Sequence, residues 1–394
     1  ESTPKPRVEL ADIFRLHGAH YCQTHALTPE QYKVFHAIVN CRTSVLGGHI
    51  EQCTQCQAIH YTYHSCRNRH CPKCESFKAA QWLEARKAEL LPVPYFHVVF
   101  TLPHHLNNLI LYNKRILYPL LFESAWETLK KLGQDPKRLG GEMGMLALLH
   151  TWGQNLLPHN HLHCIVPGGV FKPDGSWKSA NGFLFPVKVL SKLFRGIYVS
   201  KLRTIYEQKK LKLPEKLTET LNAREFDQLL NELMKQDWVV YAKPPFAGPE
   251  KLLSYLGRYT HKIAISNHRI LSCDETSVTF KWRDYADGNK EKIMTLKPEE
   301  FIRRFLSHVV PEGFMRIRSF GFLSNASKAK KIKAIQEQLN YTAPSRSTEK
   351  KDTASLMLDL TGTDITLCPD CKTGKLKRMA DIRAKFSNTV FDTS

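Results

Sequence analysis

Residues 159–164 read His-Asn-His-Leu-His-Cys, bounded by Pro158 on one side and by Pro167-Gly168-Gly169 on the other. In a strand, side chains at i and i+2 share a face, so His159, His161 and His163 project together while Leu162 points into the packed side. Neutral imidazoles suit a divalent metal, and two of them with one further ligand leave positions open for substrate oxygens. His161 and His163 form the pair. Candidates for the third ligand are His159, Gln154 and, from a neighbouring strand, His97. The competing reading is a polar strand edge carrying clustered surface histidines.

Outward from this stretch, apolar runs and their punctuation predict further strands over residues 95–102, 143–151, 237–242, 263–272 and 277–284. Helices are expected over 10–40, 75–91, 106–132, 188–236 with a break at Pro214, and 298–308. Thr28-Pro29-Glu30 supplies an N-cap with proline at the first helical position. Strands mixed with helices and hairpins, without a regular βαβ rhythm, give an α+β fold.

A second helix carries chemistry. Gly248-Pro249-Glu250 starts it, Leu252, Leu253, Leu256 and Ile263 form its apolar face, and Lys251, Tyr255, Arg258, Tyr259 and Lys262 form the other. Tyr255 and Tyr259, one turn apart, bring two phenol oxygens together among cations that favour the phenolate and hold phosphates. Paired tyrosines at this spacing are otherwise half-buried packing residues. Combined with the histidine strand, they suggest a metal-assisted tyrosine nuclease.

The chain has 394 residues, 57 Lys and Arg against 37 Asp and Glu, and a formal charge of +20. Such an excess points to a polyanionic partner. No apolar run reaches the length of a membrane span, and residues 1–7 lack the apolar stretch of a secretory signal, so a cytoplasmic location is expected. Thiols stay reduced there, and the eleven cysteines read as metal ligands and singles rather than disulfides. Cys53-x2-Cys56 with Cys71-x2-Cys74 is the expected structural zinc set. Cys41, His49, Cys66 and His70 offer a second set, against ordinary buried thiols and polar residues. Cys368-x2-Cys371 is half a site that needs two ligands from elsewhere, against two free cysteines in a flexible tail.

Arg67, Arg69, Lys73 and Lys78 around the knuckles supply phosphate-contacting charge. Trp282-Arg283-Asp284-Tyr285 and Arg316-Ile317-Arg318-Ser319-Phe320 interleave aromatics with cations, as single-stranded nucleic acid or an amphipathic packed strand would need. The expected division is a helical segment over 1–40, a zinc-binding DNA-recognition domain over 41–91, a nuclease domain over 92–340, and a linker with a basic tail over 341–394.

His161-Leu162-His163 resembles the core motif of the HUH endonucleases, and the YxxxY helix resembles their two-tyrosine branch. The cysteine module, from Gly47-Gly48-His49 to Ser65-Cys-Arg-Asn-Arg-His-Cys-Pro-Lys-Cys74, is similar to the zinc domain of rolling-circle insertion-sequence transposases of the insertion sequence ninety-one type. So are residues 305–318 and the tail cysteines. The resemblance implies an antiparallel HUH sheet with flanking helices and a small zinc domain before it; the cysteine sets would hold one or two structural Zn²⁺, and the tail pair a third if two more ligands join it. It also implies a catalytic Mg²⁺ or Mn²⁺ at His161 and His163. Tyr255 or Tyr259 would attack single-stranded DNA at transposon ends and target, giving a 5′-phosphotyrosine link, with Arg258 and Lys262 assisting. No nucleotide cofactor is implied, and no GxxxxGK[ST] motif is present. The implied location is the bacterial cytoplasm, at the nucleoid. Competing readings are a rolling-circle replication initiator or relaxase, and a non-catalytic zinc-dependent DNA-binding regulator.

Overall fold

The computed structural model describes residues 8–74, 82–83, 86, 89–180, 184–213, 222–243, 252, 263–342 and 352–385. The helices, in chain order, are α1 (Leu10–Thr24), α2 (Pro29–Asn40), α3 (Asn107–Tyr112), α4 (Lys114–Gln134), α5 (Val187–Glu207), α6 (Ala223–Lys235), α7 (Pro298–Ser307), α8 (Lys328–Gln338) and α9 (Thr353–Thr361). The strands are β1 (Gly48–Cys53), β2 (Ile59–Tyr63), β3 (Tyr95–Thr101), β4 (Gly144–Trp152), β5 (Pro158–Pro167), β6 (Gly169–Phe171), β7 (Trp177–Ser179), β8 (Val240–Lys243), β9 (Ile270–Cys273), β10 (Val278–Asp284), β11 (Lys290–Leu296), β12 (Ile317–Gly321) and β13 (Leu376–Ile382). Helices and antiparallel strands mix without a parallel crossover among these elements, so the fold is α+β with an HUH-type sheet.

That sheet has the order β12-β4-β5-β3-β8. One face is dry: Val98 and Phe100 from β3, Ala147 and Leu149 from β4, and Leu162, Cys164 and Val166 from β5 pack against α4 and α5. α4 presents Leu117, Leu121, Ala125 and Leu129, and α5 presents Leu190, Phe194, Tyr198 and Leu202, so each helix lays one stripe on the sheet. Burial of these side chains, about 1.5–3 kcal/mol each, fixes the strand register, because a one-residue slip would turn Leu162 outward. The histidines of β5 consequently face the other side.

The predicted helix over 106–132 is two helices. Asn113 divides them: its side-chain amide donates to the carbonyls of Leu109 and Lys212, both at 2.9 Å, and its oxygen accepts from the Lys212 amide at 2.7 Å. A buried staple to a segment 99 residues away outweighs helix continuity.

A second core joins α1, α2 and α7 to the three-stranded sheet β11-β10-β9. Thr28 and Gln31 cap α2 reciprocally, and the Gln31 amide also reaches the Leu306 carbonyl at 3.0 Å. The helices of 1–40 are thus built into this core. β13, in the stretch expected to be tail, pairs with β1 in the sheet β13-β1-β2.

Residues 305–318 strap these parts together. His308, fully buried, donates from Nε2 to the Leu156 carbonyl at 2.9 Å, and its Nδ1 lies 3.3 Å from the Thr151 hydroxyl. Arg318 lies over the rings of Phe122 and Phe314, at 4.7 and 5.0 Å from their centroids. Gly321 closes β12 at φ +61, where a Cβ would sit 1.8 Å from the Met143 carbonyl oxygen.

Burial, together with the nearby Lys114 and Arg303 cations, pushes the His308 imidazole down from 6.5 to about 4 despite its bond to Leu156. The unfolded chain binds this proton first, so stability is full above about pH 6.5 and falls as pH drops toward 4, by about 3 kcal/mol from this group. His308→Gln, which keeps a donor toward Leu156, should flatten the acid limb of a pH series of thermal melts. An unchanged limb would exclude His308 as a source.

Candidate functional site

The opposite face of the sheet holds four buried imidazoles. Antiparallel pairing of β4 with β5 sets His150 opposite His161, and pairing of β3 with β5 sets Val99 opposite His163, with His97 diagonal to it. His97, His150, His161 and His163 are all under 9% exposed. The ligand nitrogens of His150, His161 and His163 lie within 4.8 Å of one another.

Their hydrogen bonds fix which nitrogen faces the centre. His161 Nδ1 sits 2.7 Å from the His159 carbonyl oxygen and must donate to it, which leaves a lone pair on Nε2. His163 Nδ1 is 2.9 Å from His97 Nε2, so His163 likewise turns Nε2 inward. The two Nε2 atoms are 3.1 Å apart. Two ligand nitrogens on one ion with bonds of about 2.1 Å stand roughly 3.0–3.4 Å apart, so the pair fits a shared cation. Trp152 stacks on His150, with centroids 5.1 Å apart, and itself packs in the second core. The imidazole positions are therefore set by both cores.

The expected third ligands do not join this group. Between His150 and Trp152 the pairing loses register: β4 advances two residues while β5 steps back three, from His161 to Pro158. That irregularity breaks the alternation, and the His159 nitrogens fall outside the set. Gln154 lies half-buried beyond the strand and donates to the Tyr285 hydroxyl at 3.1 Å. His97 stands behind His163 as an outer partner. The third imidazole of the group is His150. Its sequence signal was its position at the end of the strand predicted over 143–151.

Tyr255, Arg258, Tyr259 and Lys262 lie outside the described residues. Leu252, from the start of that segment, is 1% exposed. It packs with Tyr95, Leu146, Leu148 and Ile165, on the same face of the sheet as His161 and His163.

The cysteines sort differently from the expected sets. Cys41, Cys66, Cys71 and Cys74 form one cluster, and Cys53, Cys56, Cys368 and Cys371 form another. In the first, Cys41 Sγ–Cys74 Sγ and Cys66 Sγ–Cys74 Sγ are both 3.6 Å. A zinc tetrahedron with Zn–S bonds of about 2.3 Å has edges of roughly 3.8 Å, so the four thiols fit a structural Zn²⁺. The residues that follow Cys41 and Cys66, Arg42 and Arg67, adopt φ of 57 and 54, which folds the chain back around the cluster. The two CxxC knuckles separate because β1 carries Cys53 into the three-stranded sheet, whereas Cys71 and Cys74 pack into the second core beside Cys41. His49 and His70 fall outside both clusters. His49 lies 3.4 Å from Glu51 Oε1, and His70 is buried, its imidazole held well below its ordinary range by desolvation and then by Arg316 and Arg69.

The proposed phosphate contacts divide as well. Arg67 and Arg283 are exposed. Lys73 forms an ion pair with Glu9, Arg69 donates to the Phe314 carbonyl, and Arg318 is stacked over two rings. Arg316 is partly buried, and its backbone carbonyl accepts from the Leu149 amide at 2.8 Å. Lys78 lies outside the described residues. Phe320 stacks on Trp126 at 5.6 Å and Trp282 packs on the second core, while Tyr285 is 67% exposed. No described helix is long and apolar enough to cross a membrane.

Comparison with known proteins gives the family. Residues 144–331, which hold β4, β5 and the segment after Leu252, match the family described as "Putative transposase". Residues 13–102, which hold the first cysteine cluster, match the family described as "Transposase zinc-binding domain". The chain is 47% identical over 373 residues to "Putative transposase y4qJ" of Sinorhizobium fredii, covering 93% of this chain and 94% of that protein. It is 27% identical over 347 residues to "Transposase for insertion sequence element IS801" of Pseudomonas savastanoi pv. phaseolicola, covering 87% and 82%. With a histidine-bearing antiparallel sheet and a cysteine module in this order, the chain belongs to the insertion-sequence transposases of the IS91 type.

Proposed function

We propose that this transposase cuts and rejoins single-stranded DNA at a site formed by His150, His161 and His163 together with Tyr255 and Tyr259. The observation that carries the reading is the buried imidazole triad, with two Nε2 atoms 3.1 Å apart and turned to one centre. His150, His161 and His163 would hold a divalent ion, Mn²⁺ or Mg²⁺, which when bound supplies Lewis acidity toward a scissile phosphate. Three imidazoles are softer donors than carboxylates, so Mn²⁺ is favoured over Mg²⁺.

Support for the tyrosines comes from Leu252, packed on the histidine face three residues before Tyr255. The attacking phenolate oxygen forms a bond to phosphorus as the bond to the 3′ oxygen breaks. The strand then carries a free 3′ hydroxyl and a 5′-phosphotyrosine link, with the proton moving from phenol to leaving oxygen overall. Arg258 and Lys262, each three residues after one of the tyrosines in the sequence, would favour the phenolate and bind neighbouring phosphates. The bond energy stays in the ester, so rejoining needs no nucleotide. Two tyrosines allow donor and target strands to be held in turn. The exposed Arg67 and Arg283 and the ring of Tyr285 are the described groups suited to the strand outside the centre.

Incubating the protein with labelled single-stranded DNA from element ends and Mn²⁺, then denaturing, should yield a covalent adduct. It should vanish in the Tyr255→Phe, Tyr259→Phe double variant; cleavage that persists there would sink the tyrosine mechanism. His150→Ala should slow adduct formation on the order of 100-fold, comparably to His161→Ala, whereas His159→Ala should change it little. Equal effects at His150 and His159 would remove His150 from the ligand set. His97→Ala, which frees His163 Nδ1, should raise the Mn²⁺ concentration needed for half-maximal rate by about 10-fold or more while adduct formation at saturating Mn²⁺ recovers. No shift in metal dependence would leave His97 a packing residue.

A further inference from the structure

Cys368 and Cys371 find their missing partners at the far end of the chain. Cys53 Sγ lies 3.6 Å from Cys371 Sγ, across 318 residues of sequence, and Cys56 Sγ lies 3.7 Å from Cys368 Sγ. All four sulfurs fall within 4.8 Å of one another, at the edge lengths of a tetrathiolate zinc site. We propose that Cys53, Cys56, Cys368 and Cys371 bind a second structural Zn²⁺ that clasps strand β13 onto the zinc-binding module, which is therefore assembled from two distant segments of the chain.

The local backbone is shaped for the ion. Both pairs are Cys-x2-Cys knuckles, and the residue after each second cysteine, Gln57 or Lys372, takes φ near +60. Amide N–H groups point at the sulfurs, Gln55 to Cys53 at 3.4 Å and Gly374 to Cys371 at 3.3 Å, as thiolates require. Gly374 must lack a side chain, since its Cβ would fall 2.3 Å from Cys53 Sγ. His60 Nε2 stands 3.5 Å from Cys368 Sγ and 3.6 Å from Asp370 Oδ2, outside the quartet and placed to donate to a thiolate. Cys53 and Cys368 are each 1% exposed.

The strand pairing is consistent with the clasp. β13 runs antiparallel to β1 from Gly48 opposite Ile382 to Cys53 opposite Leu376, so the knuckles close the end of a formed ladder. With the exposed Lys372, Lys375 and Lys377 carried on it, the clasp adds cationic surface to the module. It also makes the second site a late one, because Cys368 and Cys371 are synthesised after the nuclease sheet.

Alkylation with iodoacetamide of the zinc-loaded full chain, read cysteine by cysteine by mass spectrometry, tests this directly. Cys53, Cys56, Cys368 and Cys371 should all be protected, by about 10-fold or more over the denatured chain, and should become reactive together on chelation. Cys368 and Cys371 reacting as in the denatured chain, while Cys53 and Cys56 stay protected, would overturn the proposal. Zinc content of the Cys368→Ser, Cys371→Ser variant should fall by one ion per chain with Cys41, Cys66, Cys71 and Cys74 still protected. Unchanged zinc content would also overturn it. The alkylation pattern of the unaltered protein decides the matter even where the variant does not fold.

Discussion

The antiparallel pairing of β4 with β5 is the constraint on which the site depends. It sets His150 opposite His161, and the apolar residues on the reverse of both strands fix that register against α4 and α5. Sliding either strand by one residue would bury imidazoles among leucines and expose the core, so register and imidazole geometry are held by the same burial energy. Each inward-facing nitrogen is then selected by an outer partner, a backbone carbonyl for His161 and His97 for His163. In the proposed function, preorganisation of this kind would lower the cost of gathering the imidazoles around a divalent ion.

The second requirement is that the cysteine module keep a fixed relation to the sheet. Residues 305–318 meet it by contacting every neighbour in turn. The Leu306 carbonyl accepts from Gln31, His308 bonds the turn between β4 and β5, the Phe314 carbonyl accepts from Arg69, and Arg318 covers Phe122. This explains why Arg69 and Arg318, attractive as phosphate ligands on charge alone, are engaged inside the protein. A guanidinium can be cationic and structural at once, because its plane stacks on rings while its edge donates to carbonyls.

Much of the fold was legible in the sequence. The strands at 95–101, 144–152 and 158–167 and the helix at 298–307 followed from apolar periodicity and proline punctuation. β11 escaped because it is an edge strand rich in charge, with Lys290, Glu291 and Lys292 at its start, and nothing local distinguishes it from a loop. The break at Asn113 escaped because its cause, the backbone of Lys212, is distant in sequence. His150 was in view on a predicted strand but could not be matched to His161 without knowing which strands pair.

By itself the sequence determined the chemistry on offer: alternating imidazoles on one strand, thiols in Cys-x2-Cys pairs, two tyrosines at helical spacing, and a large cationic excess. Those are properties of residue type and local period, which the backbone geometry of a strand, knuckle or helix converts directly into direction. Only the tertiary structure decided partnership. It placed Cys53 and Cys56 beside Cys368 and Cys371 rather than beside Cys71 and Cys74, and it brought His150 rather than His159 to His161 and His163 through a loss of register between β4 and β5. Ligand sets are closed by distance in space, and spacing along the chain constrains that distance only within a single element.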